Sequence, residues 1–334
     1  GLNSPIKYIR LVRRNFNGRI RYFAQLACEG TPWVKSSHPV KKGVVGLDIG
    51  PQTIAIVGPK GQHARLKVFA DALKEHTNAK KKLQRGIARK LRAGNPAAFE
   101  EDKWVRKSKN WQRKKGKSIK GKKPTFRSHA LQRAQARLAD LSRREAAFRK
   151  TQHGQLVNEV LAVGNQIKTE KLSYRAFQKL YGKSVGLRAP ALFVDRLKRK
   201  AENAGGRVEE IQTWATKLSQ RCQCGRVEKK PLRQRWHRCV CGVKAQRDLY
   251  SAYLACFVQD NALMAEQAQK AWSGMDVALR TAMEALKQSS SGHLPASLGL
   301  PRVRGCLLYT SPSPRDRSAY LVCRLLLEKR GGGG

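Results

Sequence analysis

The chain has 334 residues and carries 69 Lys and Arg against 23 Asp and Glu, a formal charge of +46. Such an excess makes a compact fold repel itself, so a polyanionic partner is expected, nucleic acid first. No run approaches the ~18 apolar residues of a membrane span, and no apolar N-terminal segment has signal-peptide form. Eight cysteines in such a chain read as thiols or metal ligands of a reducing compartment rather than as disulfides.

Ile6–Val12 and Ile20–Ala27 read as strands joined through Asn15-Phe-Asn-Gly18, a hairpin signal. Val44–Gly50 is a nearly continuous apolar strand carrying Asp48, followed by strands at Thr53–Val57 and Ala64–Ala70. An apolar opening strand of this kind belongs at the centre of a mixed sheet.

From Asp71 to Lys150 Lys and Arg far outnumber Asp and Glu. Two helices are expected there, Lys80–Leu91 and Ser128–Phe148, the second with Leu131, Ala134, Leu138 and Leu141 at helical spacing. Between them a Lys- and Gly-rich loop carries Trp104, Trp111 and Phe126, which either pack inside the helical pair or stack on bases. The charge is too dense for a merely solvated face. Lys80, Lys81, Lys82, Arg85, Arg106, Lys107, Arg113, Lys114 and Arg127, with Arg247 further on, are the candidate nucleic-acid contacts.

Gln155–Val163 suits a core helix, Asn165–Glu170 a strand, Ala189–Ala204 an amphipathic helix, and Arg207–Gln212 a last strand. A helix from Asp248 to Val258 follows, and a further one reaches Leu286. Cys28 and Cys256 have apolar neighbours and read as core residues. Residues 306–317 look like translated sequencing adapter and 331–334 like an artificial linker, so the stretch after about 290 is expected to lie outside the fold.

Cys222-Gln-Cys224-Gly225 and Cys239-Val-Cys241-Gly242 are two matched half-sites with fourteen residues between them. Four thiolates so arranged suit one tetrahedral Zn²⁺, and the glycines supply the positive φ that turns amides toward sulfur. Each pair is C-x-C, one residue tighter than C-x-x-C, which cramps the turn; the bland alternative is four spare thiols.

The element order is that of an RNase H-like α/β fold. Its first and fourth strands are neighbours, which would set Asp48 beside Glu170, and the last helix would deliver Asp248. Three converging carboxylates make an oxygen-only site for two Mg²⁺ or Mn²⁺ ions able to promote phosphodiester hydrolysis. Singly each carboxylate reads as a turn, surface or cap residue. Asp48-Ile-Gly50 also fits the phosphate loop of actin-like ATPases, but no second Asp-x-Gly strand pair follows. A resolvase or transposase performing strand exchange would need a dimer or end-binding domain that the sequence does not display.

Val45-Gly-Leu-Asp48-Ile-Gly50, Lys168-Thr-Glu170-Lys-Leu172, Thr216-Lys-Leu-Ser219 leading into the cysteines, and Arg247-Asp248 resemble the TnpB (OrfB) proteins of insertion sequences. These are RNA-guided DNA nucleases related to type V CRISPR effectors. The resemblance implies a RuvC-type triad of Asp48, Glu170 and Asp248, and guide RNA and target DNA as partners. It also implies a cytoplasmic location in a bacterium or archaeon, associated with the nucleoid. By that resemblance residues 1–41 form a truncated wedge-like β segment without the helical recognition lobe, and 42–257 the nuclease domain. Within the latter, 71–150 is a basic insertion lining the guide–target channel and 216–246 a zinc ribbon. Residues 258–290 form a C-terminal helix and 291–334 a non-native or disordered tail. A DNA-binding relative without cleavage is the alternative.

Overall fold

The computed structural model describes residues 4–289, except 17, 31–34, 59–62, 70–74, 108–109 and 232–233, together with residue 298. β1 (Ile6–Phe16) and β2 (Arg19–Cys28) form an isolated antiparallel hairpin, longer than the sequence pattern suggested. It stands away from both cores and is exposed on both faces. Cys28 is therefore exposed, contrary to its reading as a core residue.

β3 (Val44–Ile49), β4 (Thr53–Val57) and β5 (Ala64–Val68) follow as antiparallel neighbours. α1 (Glu75–Gly94) leads through a 3-10 turn at Pro96–Ala98 to β6 (Lys103–Lys107) and β7 (Asn110–Lys114). These two strands pair where a polar loop was expected. α2 (His129–Leu161) is one helix of 33 residues, capped by the Ser128 hydroxyl, which accepts from the Leu131 N–H at 3.2 Å. It merges the two helices expected at 128–148 and 155–163. Gly154 weakens a helix by only about 1 kcal/mol and does not stop it where both flanks are packed.

β8 (Gln166–Glu170) is followed by α3 (Tyr174–Arg188), then by α4 (Pro190–Asn203), β9 (Arg207–Ile211) and α5 (Thr213–Thr216). β10 (Trp236–Arg238), β11 (Lys244–Gln246) and α6 (Arg247–Cys256) come next. The helix expected beyond Gln259 begins instead as a hairpin, β12 (Val258–Gln259) with β13 (Ala262–Leu263). Asp260 and Asn261 turn it with φ of 47° and 61°, a conformation those residues tolerate best after glycine. α7 (Ala265–Lys270) and α8 (Trp272–Ser289) complete the described elements. Leu298, within the stretch expected to lie outside the fold, is fully buried in the core under α6.

The architecture is mixed α/β around a five-stranded sheet ordered β5-β4-β3-β8-β9, with β3 central and the β3–β8 and β8–β9 pairs parallel. Both sheet faces are covered, which is why β3 and β4 read as apolar runs. On one face Val45, Leu47, Ile54, Ile56 and Ile167 meet Val157, Val160 and Leu197 of α2 and α4. On the other, Ala55, Val57 and Leu66 meet Tyr253 and Leu254 of α6 and Leu279 and Met283 of α8. Each fully buried aliphatic or aromatic side chain contributes roughly 1.5–3 kcal/mol.

Candidate active site and cysteine cluster

Alternation along β3 sends Val45, Leu47 and Ile49 into the α2–α4 core, which leaves Gly46 and Asp48 on the opposite face, under α6. The parallel register runs from Val44 with Gln166 to Leu47 with Thr169, so one further step sets Asp48 beside Glu170 on the same face. The sequence expectation for these two carboxylates rests on this pairing.

α6 supplies the third. Its N-terminus is capped by Gln246, whose Oε1 accepts from the Leu249 N–H at 2.8 Å, and Asp248 lies in the first turn, where the helix dipole favours a negative charge. Asp248, Ser251, Ala252 and Cys256 form the stripe of α6 turned to the sheet. The helix rests on bare backbone at Gly46: a Cβ there would stand 1.8 Å from the Ala252 carbonyl oxygen and 3.0 Å from Cys256 Sγ. Gly46 thus sets how near Asp248 comes to Asp48. A glycine inside an apolar strand signals this kind of close approach, and it is the one clue in the sequence to that contact.

Asp48 feels both of the other acids. Burial pushes the Asp48 carboxyl well above its ordinary value, and the charges of Asp248 and Glu170 push further; Arg247 and the Ser251 hydroxyl pull the other way. Burial lifts Glu170 to about 7 against the Leu218 N–H. Asp248 is raised by burial against the Gln246 side chain and the charges of Arg247 and Arg235. Glu170 Oε1 is buried without a hydrogen-bond partner. An orphaned carboxylate oxygen on a residue whose charge reaches Asp48 fits a hard divalent cation such as Mg²⁺. The carboxylate oxygens are more widely spread than a single tight cluster. Among the described residues only the four cysteine sulfurs all lie within 4.8 Å of one another.

Those sulfurs sit on two turns of the same design. The Cys222 and Cys239 N–H groups donate to Arg226 O and Val243 O at 2.8 and 3.0 Å. The Gly225 and Gly242 N–H groups donate back to Cys222 O and Cys239 O at 3.0 and 3.1 Å, both glycines having φ of 90°. The tighter C-x-C spacing is accommodated. Sγ atoms approach to 3.5 Å across the Cys222–Cys241 and Cys224–Cys239 pairs, close to the ~3.8 Å edge of a tetrahedron with ~2.3 Å metal–sulfur bonds. The four thiols thus could hold a metal ion such as zinc.

Tyr250 joins this cluster to the acids. Its hydroxyl accepts from the Gln223 N–H at 3.0 Å and lies 3.4 Å from Cys222 Sγ, and its ring packs 4.4 Å from that of His237. Since Tyr250 is two residues beyond Asp248 on α6, the cysteine turns brace the helix that carries the acid.

Residues 191–254, from α4 through the cysteines to α6, match the family model described as Cas12f1-like, TNB domain. The match supports a TnpB/Cas12f-like, type V effector-related family. No curated protein matches it. The TNB match encloses all four cysteines and Asp248 and leaves Asp48 and Glu170 outside. The family implies binding of nucleic acid.

The basic candidates lie on the insertion rather than on the TNB segment, with one exception. Lys81, Lys82 and Arg85 are exposed on α1, and Arg106, Lys114 and Arg127 are exposed on β6, β7 and the approach to α2. Lys80 is half-buried and paired at 2.6 Å with Glu145 of α2, and Arg113 is exposed but bonded at 2.9 Å to Asp102. The side chain of Lys107 lies outside the described residues. Arg247 is buried, donates to Gln234 O at 3.1 Å, and stands 3.8 Å from Asp248. Its guanidinium is bonded to protein carbonyls inside the fold, which sets it apart from the exposed cations of the insertion. Among the described residues no helix is long and apolar enough to cross a membrane.

Proposed function

We propose that this chain is a metal-dependent, RNA-guided DNA endonuclease with a RuvC-type site of Asp48, Glu170 and Asp248. The observation that carries the reading is the buried, unpartnered Glu170 oxygen set beside Asp48, with Asp248 close enough to raise the Asp48 pKa. The sheet order supports an RNase H-like fold, since it makes the first and fourth strands neighbours. Bound Mg²⁺ or Mn²⁺ would activate water and stabilise the departing 3′ oxygen of a phosphodiester.

The chain's own residues do the positioning. Gly46 fixes the distance of α6 from β3, Arg247 locks the first turn of α6 to the loop at Gln234, and Ser251 holds the Asp48 carboxyl. A cleft of about 670 Å³ is lined by Val44, Lys168, Gly206 and Glu209 near the opposite end of the parallel strands. Asp48 and Glu170 lie toward the other, C-terminal ends of β3 and β8.

The test is cleavage of a plasmid by protein carrying its copurified RNA, with Mg²⁺ and with chelator. Asp48→Ala and Asp248→Ala should abolish cutting while leaving DNA affinity within about threefold, because no phosphate-binding cation is lost. Cutting by either variant would refute the assignment. Binding without cutting by the unaltered chain would make it a DNA-binding relative.

A further inference from the structure

The β6–β7 hairpin carries a side-chain pattern that the carboxylate site does not use. Its register pairs Trp104 with Arg113 and Arg106 with Trp111. Paired residues and residues two apart share a face, so these four form one surface with like residues on the diagonals. The indoles are 65% and 64% exposed.

Such a surface could be the accident of a loose loop, but this hairpin is clamped at its base. The Gly116 N–H and Arg113 Nε both donate to the Asp102 carboxylate at 2.9 Å. Glu100 N–H donates to Lys117 O at 2.9 Å and Ile119 N–H to Ala98 O at 3.0 Å. Gly116 has no room for a side chain, since a Cβ would lie 1.7 Å from Glu100 O. Beyond the clamp, Asn95 exchanges hydrogen bonds with the Phe126 backbone at 2.9 and 3.0 Å. The tryptophans are held outward by fixed backbone.

Charge narrows the occupant. From Lys103 to Arg127 the sequence contains no Asp or Glu, and Asp102 neutralises Arg113 alone, so the remaining charge favours a polyanion. Flat π-faces beside guanidinium groups suit nucleobases and phosphates together, and only an unpaired strand offers its base faces. Diagonal neighbours across an antiparallel pair are ~7–8 Å apart, about twice the ~3.4 Å rise per base of a stacked strand. That spacing admits one base between the rings.

We propose that Trp104 and Trp111, with Arg106, form a stacking platform for an unpaired DNA strand. The choice of DNA rests on the nuclease reading above, in which guide pairing displaces one DNA strand.

The experiment measures anisotropy of short labelled single-stranded DNA, RNA of the same sequence, and duplex DNA with the full chain. Trp104→Ala and Trp111→Ala should each weaken single-stranded DNA binding by roughly tenfold, the size of one lost base stack. Replacement of both by Phe should keep most of the affinity, since a flat ring remains. The salt dependence should keep its slope in the Trp variants and fall by about one unit in Arg106→Ala. Because both indoles are exposed, the melting temperature should not move.

Single-strand DNA affinity within about twofold of the unaltered chain in the double Ala variant would overturn the platform. So would an equal loss on duplex, a loss confined to RNA, or indole emission that responds to phosphatidylserine–phosphatidylcholine vesicles but not to DNA. Plasmid cleavage run in parallel separates this proposal from the nuclease reading. An unaltered chain that never cuts, with Trp variants that still lose the strand, sinks the nuclease and leaves the platform. Normal cutting with unchanged strand binding in the double variant does the reverse.

Discussion

Gly46→Ala adds one methyl group where the backbone of β3 meets the backbone of α6. The new Cβ would stand 1.8 Å from the Ala252 carbonyl oxygen, and an ordinary contact requires α6 to retreat by about 1.5 Å. Since the obstacle is backbone, no rotamer change relieves it. Overpacking of this severity costs about 3 kcal/mol or more, equivalent to a fall in Tm of roughly 6–12 °C for a domain of this size. Asp248 moves with the helix, and a displacement near 1 Å costs a positioned catalytic group roughly 100-fold in rate. Calorimetry and single-turnover cleavage below the lowered Tm would measure both effects. Ala252→Gly should not rescue, because it removes a side chain that is not the obstacle. Gly86→Ala is the control: it lies in α1 with nothing within 4 Å and should stabilise by up to about 1 kcal/mol. A Gly46→Ala protein that melts within a degree of the unaltered chain and cuts normally would refute the described contact between α6 and β3.

Acid–base behaviour gives a second expectation. Glu170 has its pKa raised from 4.5 to about 7, so in metal-free protein its contribution to stability is complete below pH 4.5 and is lost as pH rises through 7. Thermal scans with chelator should show this decline, and Glu170→Gln should flatten it; a decline unchanged in the variant would place the titration elsewhere. Cys222→Ser should lower zinc content from one ion per chain and loosen α6, measured by metal analysis and hydrogen exchange at residues 247–256; identical content and protection would argue for idle thiols. Tyr250→Phe removes the acceptor for the Gln223 N–H, and zinc affinity should fall roughly tenfold in a chelator competition. An unchanged affinity would mean that the hydroxyl does not support the ligand turn.

The carboxylate strands were legible because each is short, apolar and buried on a predictable face. Taking the element order as RNase H-like makes β3 and β8 neighbours, and they pair in parallel. The glycines at 225 and 242 likewise announced their positive φ. Cross-strand chemistry was less visible: β6 and β7 contain Lys, Arg and Trp where a strand signal needs an apolar face, so their pairing was missed. α3 was also missed, although Tyr174, Phe177 and Tyr181 recur at helical spacing and their rings pack in series at 6.4 and 6.0 Å. Cys28 misled because apolar neighbours in sequence say nothing about whether a hairpin meets a core. Arg247 misled because charge beside a candidate acid looks like a substrate contact until its carbonyl partners are known. The tilt of α6 onto Gly46 could not be deduced, since it joins residues two hundred positions apart.

That separation has a kinetic meaning. The ribosome emits the chain from its N-terminus at roughly 5–20 residues per second, and the sheet strands through β9 are out before α6 exists. Asp48 and Glu170 therefore leave the ribosome first, while the seat at Gly46 stays empty until residue 256 has left the exit tunnel. Docking α6 closes a loop of about two hundred residues, the kind of long-range contact that forms late. A nascent or prematurely ended chain holds two of the three acids but not the third, so this basic polypeptide can meet nucleic acid during synthesis without yet possessing the complete carboxylate set.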